Sequence, residues 1–338
     1  MPSTITAYNL SMNSINNISF EERFFNEPFF LSYSSLNKLL YSPKLFYKQY
    51  VLGQKEEKLE AHLVEGKLIH CFILEPDKFS EQFIIAPGKV PKDNAKIIVD
   101  SMFSKTRLQD YENYDFGMFE SEILELMMEL NYYQNLKTDA QRLEKVITDD
   151  NINYFQFLKQ QSSRILIDDK TYEKCKEAAD ELLSNPAVIE SLFINTKEDV
   201  EVLSEHQLRC NIEGKPFGLK GFIDRMVVDH NNKRVHVRDL KSSSKTIDKF
   251  RESVEYYRYD HQAAFYHLLA KSVYPDYDFN FNFVVIDIFK QTYVFEVSKL
   301  TLDTWTANLV GDIEKFNWHF VNKNFNLPYE MIKEKLIL

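Results

Sequence analysis

The chain has 338 residues, 44% of them hydrophobic and 14% aromatic, enough for one large domain or two modest ones around a sizeable core. Its 27 Phe and 19 Tyr against 8 Gly exclude a disordered chain, and no apolar run reaches the roughly 18 residues of a membrane span. A net charge of −10 argues against a surface that is basic throughout.

In chain order, residues 1–30 read as a polar arm rich in Asn and Ser, with no basic-then-apolar layout of a secretory leader. Ser32 is placed to cap a helix carrying Leu36, Leu39 and Leu40 on one face, and Ser42 with Pro43 ends it and starts another. Glu60 to Leu74 has helical spacing, with Gly66 and His70 one turn apart, and Glu75 and Pro76 close it. Residues 80–164 read as a helical insertion, with a short strand at Phe83–Ala86, a helix over Phe119–Leu136 and a cap at Thr148. Asp169–Leu183 forms an amphipathic helix that Asn185 and Pro186 close. Three strand-like runs follow at Val200–Ile212, Phe217–Val228 and Arg234–Leu240. Helices are expected over Thr246–Tyr257 and Arg258–Val273, then a strand pair at Phe279–Phe289 and Thr292–Val297, and a closing helix over Thr301–Asn322.

The chemistry concentrates in the second and third runs. Asp229–Arg234 is a polar turn that makes them a hairpin. Asp224 sits within the first arm; Asp239 and Lys241, two apart, leave the same face of the second. Asp224 lies among Phe222, Ile223, Met226 and Val227, and Asp239 follows Val235 and Val237, so both carboxylates belong near a core. A buried carboxylate needs a partner, and a divalent cation is one. The strings Glu56–Lys58 and Glu65–Lys67 have the same acid-x-Lys form but no acidic strand upstream. Charge is uneven too: from Lys215 to Arg258 eleven Lys/Arg face six Asp/Glu, a local +5 that leaves −15 for the remainder. That segment is expected to form a basic channel around the site.

With Asp224, Asp239 and Lys241 followed by a helix bearing Gln262 and Tyr266, the chain resembles the PD-(D/E)XK nuclease superfamily. Within it, the resemblance is to the phage exonuclease VIII (RecE-like) and RecB-type nuclease domains. Glu205 on the preceding strand and His70 in Gly66-x-x-x-His70 followed by Leu-Glu-Pro also match. The resemblance implies an α/β (α+β) fold, a restriction-endonuclease-like αβββαβ core with a central mixed sheet and helical N-terminal decoration. It covers 31–79 and 165–328, so 31–338 is expected to be a single nuclease domain with 80–164 inserted. Some RecB-like nucleases carry a four-cysteine iron–sulfur cluster; Cys71, Cys175 and Cys210 are too few for one, and too few for a disulfide framework.

The implied roles are specific. Asp224, Asp239 and the Leu240 carbonyl would bind Mg²⁺, with Mn²⁺ as a substitute, and Glu205 and His70 would complete the metal shell. Lys241, its pKa depressed beside a cation, would orient or deprotonate the attacking water. Gln262, Tyr266 and Arg258 would contact DNA. The expected activity is resection of double-stranded DNA ends to 5′-phosphates, in phage-type recombination or replication, in the cytoplasm of a bacterium or a phage-infected host. A homo-oligomeric ring and a single-strand annealing recombinase are the partners the resemblance suggests. No phosphate-binding Gly-x-x-x-x-Gly-Lys loop is present, so no ATP motor is expected within this sequence. Two alternatives stay open: a structure-specific or restriction-type endonuclease, and a catalytically silent DNA-end-binding module.

Overall fold

A computed structural model describes residues 18–54, 60–107, 115–161, 164–194 and 199–333. It divides into two compact units, Met1–Glu60 with Asp180–Leu338, and Ala61–Ala179. Eight strands occur among the described residues: β1 Phe29–Leu31, β2 Phe83–Ile85, β3 Ile165–Ile167, β4 Val200–Asn211, β5 Phe217–Asp229, β6 Arg234–Ser242, β7 Asp278–Ile286 and β8 Thr292–Val297.

The first unit is built on a six-stranded mixed sheet. Strands β4, β5 and β6 form an antiparallel meander, β7 runs parallel to β6, and β8 returns antiparallel to β7. The Phe250–Tyr257 and Tyr259–Val273 helices make the crossover that a parallel β6–β7 pair requires. With the helix Pro186–Leu192 before β4, this is the expected αβββαβ order.

Alternation along β6 sorts its side chains. Val235, Val237, Asp239 and Lys241 share one face, where Val235 and Val237 pack with Phe281, Phe283 and Val285 of β7 and with Phe265 and Leu269 of the crossover helix. Asp239 thus stands in a row otherwise apolar. Helix Lys299–Val321 adds Leu309, Ile313, Phe316 and Phe320 to the same core. Gly221 lets the crossover helix lie close to β5, since a Cβ there would meet Leu269 Cδ1 at 2.9 Å and Tyr266 Cε1 at 3.2 Å.

Strand β5 has an interrupted edge. Its β4 side is paired along nearly the whole strand, from Gly218 to Asp229. On the other side β6 pairs only Arg225–Asp229 and β1 pairs only Phe217–Leu219. Residues 220–224 therefore face no strand on that edge among the described residues, and Asp224 sits where β6 begins to diverge.

The stretch expected to be an arm contains a helix. Ser19 and Glu22 form a reciprocal cap, and Phe20–Asn26 is helical with Phe24 buried. Phe24, Phe29, Phe46, Phe217, Phe316 and Phe320 form one aromatic cluster, with Phe24–Phe29 centroids 4.6 Å apart and Phe217–Phe316 edge-to-face at 4.7 Å. The short β1, not foreseen, carries Phe29 into this cluster. Residues 1–17 lie outside the described part of the chain.

Two other expectations shift in detail. Asn185 does more than close a helix: Asp169–Ser184 ends before it, and its Oδ1 accepts from Ala187 N–H at 3.0 Å to start Pro186–Leu192. The strand expected over Phe279–Phe289 ends at Ile286, where Asp287 accepts from the N–H groups of Phe289 and Gln291 and turns the chain, with Lys290 left-handed at φ 61°.

The second unit is largely helical. Helices Asp93–Arg107, Glu120–Glu129, Asp139–Val146 and Asp149–Gln161 enclose Ile98, Val99, Phe116, Ile123, Met127 and Phe155. Thr148 caps the last of them, accepting from Asn151 N–H at 3.3 Å as expected. The helix expected to reach Leu136 stops at Glu129, because Asn131 and Tyr133 are left-handed (φ 56° and 55°). Strands β2 and β3 pair in parallel as a separate two-stranded sheet.

Candidate active site

The interrupted edge brings the hairpin's charged residues together. The last β5–β6 pair is Arg225 with Arg238; one residue beyond it on β5 and two on β6, the backbone N–H of Leu240 donates to Asp224 Oδ2 at 2.8 Å. A side-chain carboxylate has replaced a ladder carbonyl, and both side chains at the break, Asp224 (7% exposed) and Asp239 (0%), are buried. Lys241 Nζ lies 2.5 Å from Asp239 Oδ2.

Burial by itself would push the Lys241 pKa down, but Asp239 and then Asp224 outweigh it and hold the ammonium well above the usual lysine range. The depressed lysine expected beside a cation is therefore not the metal-free state. In that state the carboxylates keep Lys241 charged.

Glu205 completes the acidic group. The β4–β5 register runs Ser204–Arg225 and His206–Ile223, which sets Glu205 opposite Asp224. Glu205 is left-handed at φ 45° between extended neighbours, a conformation costing about 1–3 kcal/mol in a non-glycine residue. A Glu205 carboxylate oxygen lies within 4.8 Å of one from Asp224. Three acidic side chains and one ammonium thus share a poorly hydrated place. The donors that Glu205, Asp224 and Asp239 supply are carboxylate oxygens, which suit a hard divalent cation. His70 lies in the other unit, half-buried on helix Ala61–Leu74.

On the crossover helix Gln262 Nε2 donates to the Tyr266 hydroxyl at 2.9 Å, and both residues are buried. Burial raises the Tyr266 pKa well above the ordinary phenol value; the negative charge of Asp224, Asp239 and Glu205 raises it further. The phenol stays protonated, next to the acidic group, where the sequence pattern placed it.

Arg258 is engaged within the protein. Its guanidinium meets Asp260 at 3.2 Å and Asp312 at 3.9 Å, and also touches His261. His261 is fully buried between Asn37 Oδ1 at 3.1 Å and Asp312 Oδ2 at 3.1 Å.

Two residues that sequence reading missed border the site. Tyr259 presents its ring to Lys241, with Nζ 5.0 Å from the centroid. Tyr33, half-buried and within electrostatic reach of Lys241 and Asp239, donates its hydroxyl to the Tyr257 carbonyl. The signal for Tyr259 was available: it precedes Gln262 by three, one helical turn. Nothing in the sequence marked Tyr33, which reaches the site only through tertiary folding.

The basic surplus does not all face the site. Arg225 and Arg238 project from the other face of the sheet, where Arg225 Nε donates to Leu192 O at 3.0 Å and Arg238 Nε to Ser191 O at 3.1 Å. Two cations thus complete the C-terminal end of helix Pro186–Leu192. Lys215 and Lys245 are paired with Glu314 and Glu252. The continuous basic channel expected from the count is therefore reduced to part of those residues.

The family model of the PD-(D/E)XK nuclease superfamily matches residues 30–283, a span that includes both carboxylates of the hairpin, Lys241, Gln262 and Tyr266. The chain belongs to this superfamily. As a member it is a nuclease of a class that generally depends on divalent metal ions, and the acidic group provides a fitting place for one. No curated protein matches the sequence. Among solved structures it is similar to a candidate exonuclease from Eubacterium rectale, at 11% identity and a TM-score of 0.45, over 100% of this chain and 96% of that one. A second likeness, to the protein SSO0001, has 15% identity and a TM-score of 0.25 over 49% of this chain and 78% of that one. The assignment rests on neither. Among the described residues no helix is long and apolar enough to cross a membrane.

Proposed function

We propose that this nuclease hydrolyses phosphodiesters of DNA from double-stranded ends, in a Mg²⁺-dependent reaction that leaves 5′-phosphates. The observation that carries the reading is the Asp224–Leu240 bond beside the buried Asp239–Lys241 pair. Asp224, Asp239 and the Leu240 carbonyl would hold the cation, with Glu205 beside them, and Mn²⁺ would substitute for Mg²⁺. Once bound, the ion would offset charge on the phosphoryl oxygens and acidify its water.

The remaining roles belong to the chain. Lys241 orients the attacking water and offsets negative charge as the phosphate is attacked. Tyr266, kept protonated by burial, donates to a phosphate oxygen, and Gln262 fixes the direction of its hydroxyl. For His70 the reading keeps the nitrogen-ligand role that the family pattern suggests.

Linear and covalently closed duplex DNA incubated with the protein, with and without Mg²⁺, test the proposal. Metal-dependent loss of the linear form alone is the expected result. Nicking of the closed circle would replace it with the endonuclease reading, and no cleavage of either form would leave a DNA-end-binding module.

A further inference from the structure

Between the helices Phe250–Tyr257 and Tyr259–Val273 the chain breaks at one residue, Arg258, which is left-handed at φ 59°, ψ 42°. A non-glycine residue keeps this strained conformation only where its surroundings fix it. Here they do, through the Asp260 and Asp312 contacts of its side chain and the Tyr33 hydroxyl on the preceding carbonyl.

The break has one clear geometric result. In a continuous helix Tyr257 and Tyr259, two residues apart, would not face each other. Here their rings are stacked, centroids 5.5 Å apart and planes within 25°. Tyr259 in turn faces Lys241 Nζ at 5.0 Å. At the other end the aromatic side chains are open: Tyr257 is 44% exposed, and Tyr256, edge-to-face with it at 4.9 Å, is 77% exposed. A row of aromatic rings therefore runs from the lysine of the active site to the surface.

We propose that Tyr256 and Tyr257 form a stacking platform for an unpaired nucleobase of the strand whose phosphate is cleaved at Asp239 and Lys241. This rests on the nuclease reading above and deepens it: the bound strand is single-stranded where it meets the protein, so a duplex end must fray before cleavage. Every base offers a π-face, so such a platform binds without regard to sequence. An extended unpaired strand spaces its nucleotides more widely than the roughly 3.4 Å of a duplex strand, so over the short row of rings from Lys241 to Tyr257 the stacked base lies within about three nucleotides of a phosphate held at Lys241.

The test uses the full chain and two readouts. Without metal, oligonucleotides carrying 2-aminopurine at each of the first three positions from either end should lose fluorescence on binding wild type at one or more of them. They should not do so on binding Y256A/Y257A, whose melting temperature should match wild type. With Mg²⁺, abasic nucleotides at those positions should raise the wild-type KM roughly tenfold and leave that of the alanine variant unchanged. The Y256F/Y257F variant should behave as wild type. Equal KM for intact and abasic DNA, or an alanine variant with the wild-type KM on intact DNA, would overturn the platform while cleavage itself stands. A wild-type protein that cleaves no DNA with any divalent ion would instead overturn the nuclease reading and the platform with it.

Discussion

Asp224 accepts a 2.8 Å hydrogen bond from the backbone N–H of Leu240, at the point where the β5–β6 ladder stops. The bond fixes the carboxylate before any cation arrives, and it separates two effects of substitution. Asp224→Asn keeps an acceptor for Leu240 and removes the charge. Calorimetry should show a large loss of divalent-metal affinity, while the metal-free protein melts at or above the wild-type temperature because like charges are relieved. Asp224→Ala removes the acceptor as well and should cost a further 1–3 kcal/mol or so in denaturant unfolding. Equal stabilities for the two variants would show that the Leu240 bond contributes nothing.

Lys241 is the cation that the acidic group contains in the absence of metal, so its removal should act twice. Lys241→Ala should abolish cleavage while metal and DNA binding persist. The metal-free variant should also be destabilised by about 3–5 kcal/mol, the usual result of leaving half of a buried ion pair. Mg²⁺ should recover most of that loss and raise the melting temperature more than it does for wild type. Melts in chelator and in Mg²⁺ check the stability claim, and turnover by the variant at the wild-type rate would remove Lys241 from the chemistry.

Much of this was legible because the signals are local. Alternation along Val235–Lys241 placed Asp239 and Lys241 on a core-facing row, and the spacing of Gln262 and Tyr266 placed both on one turn. What escaped was set by tertiary contacts. β1 is three residues long and exists only because β5 offers an open edge at Phe217–Leu219. The left-handed turns at Glu205 and Arg258 carry no glycine to announce them, so β4 read as an ordinary strand and 246–273 as two helices without a strained joint. The helix Phe20–Asn26 is an instructive miss: its Ser19–Glu22 capping pair is written in the sequence, but the Asn- and Ser-rich wording around it masked the signal.

Acid should weaken the fold through Asp312. Burial would raise its pKa, but the contacts with His261 and Lys315 outweigh that and hold it below the usual carboxylate value. A carboxyl with a lowered folded-state pKa stabilises fully above its unfolded value, near pH 4, and that contribution disappears as the pH falls through the folded value. Asp312→Asn should flatten this acid limb in melting curves taken from pH 6 down to pH 3. An unchanged slope would mean that other carboxylates set the acid sensitivity.

Phe316 joins the N-terminal and C-terminal parts of the first unit, since its ring meets Phe29, Phe46, Phe217 and Phe320 and is fully buried. Phe316→Ala should cost about 3–5 kcal/mol in chemical denaturation, and Phe316→Leu appreciably less. A loss below 1 kcal/mol or so would show that the cluster relaxes to fill the space.

Arg225 and Arg238 have a consequence for how salt should act on DNA binding. Each phosphate neutralised by a protein cation releases condensed counterions, and the slope of log K against log salt is about −0.9 per phosphate on duplex DNA. Between Lys215 and Arg258 the sequence offers eleven such cations. Arg225 and Arg238 are turned to the carbonyls of a helix end, and Lys215 and Lys245 already have carboxylate partners. The slope measured for end binding should therefore be shallower than −6 or so. Few ions are then released as the strand is taken up, and the complex should persist at salt concentrations that strip DNA from a broadly basic surface.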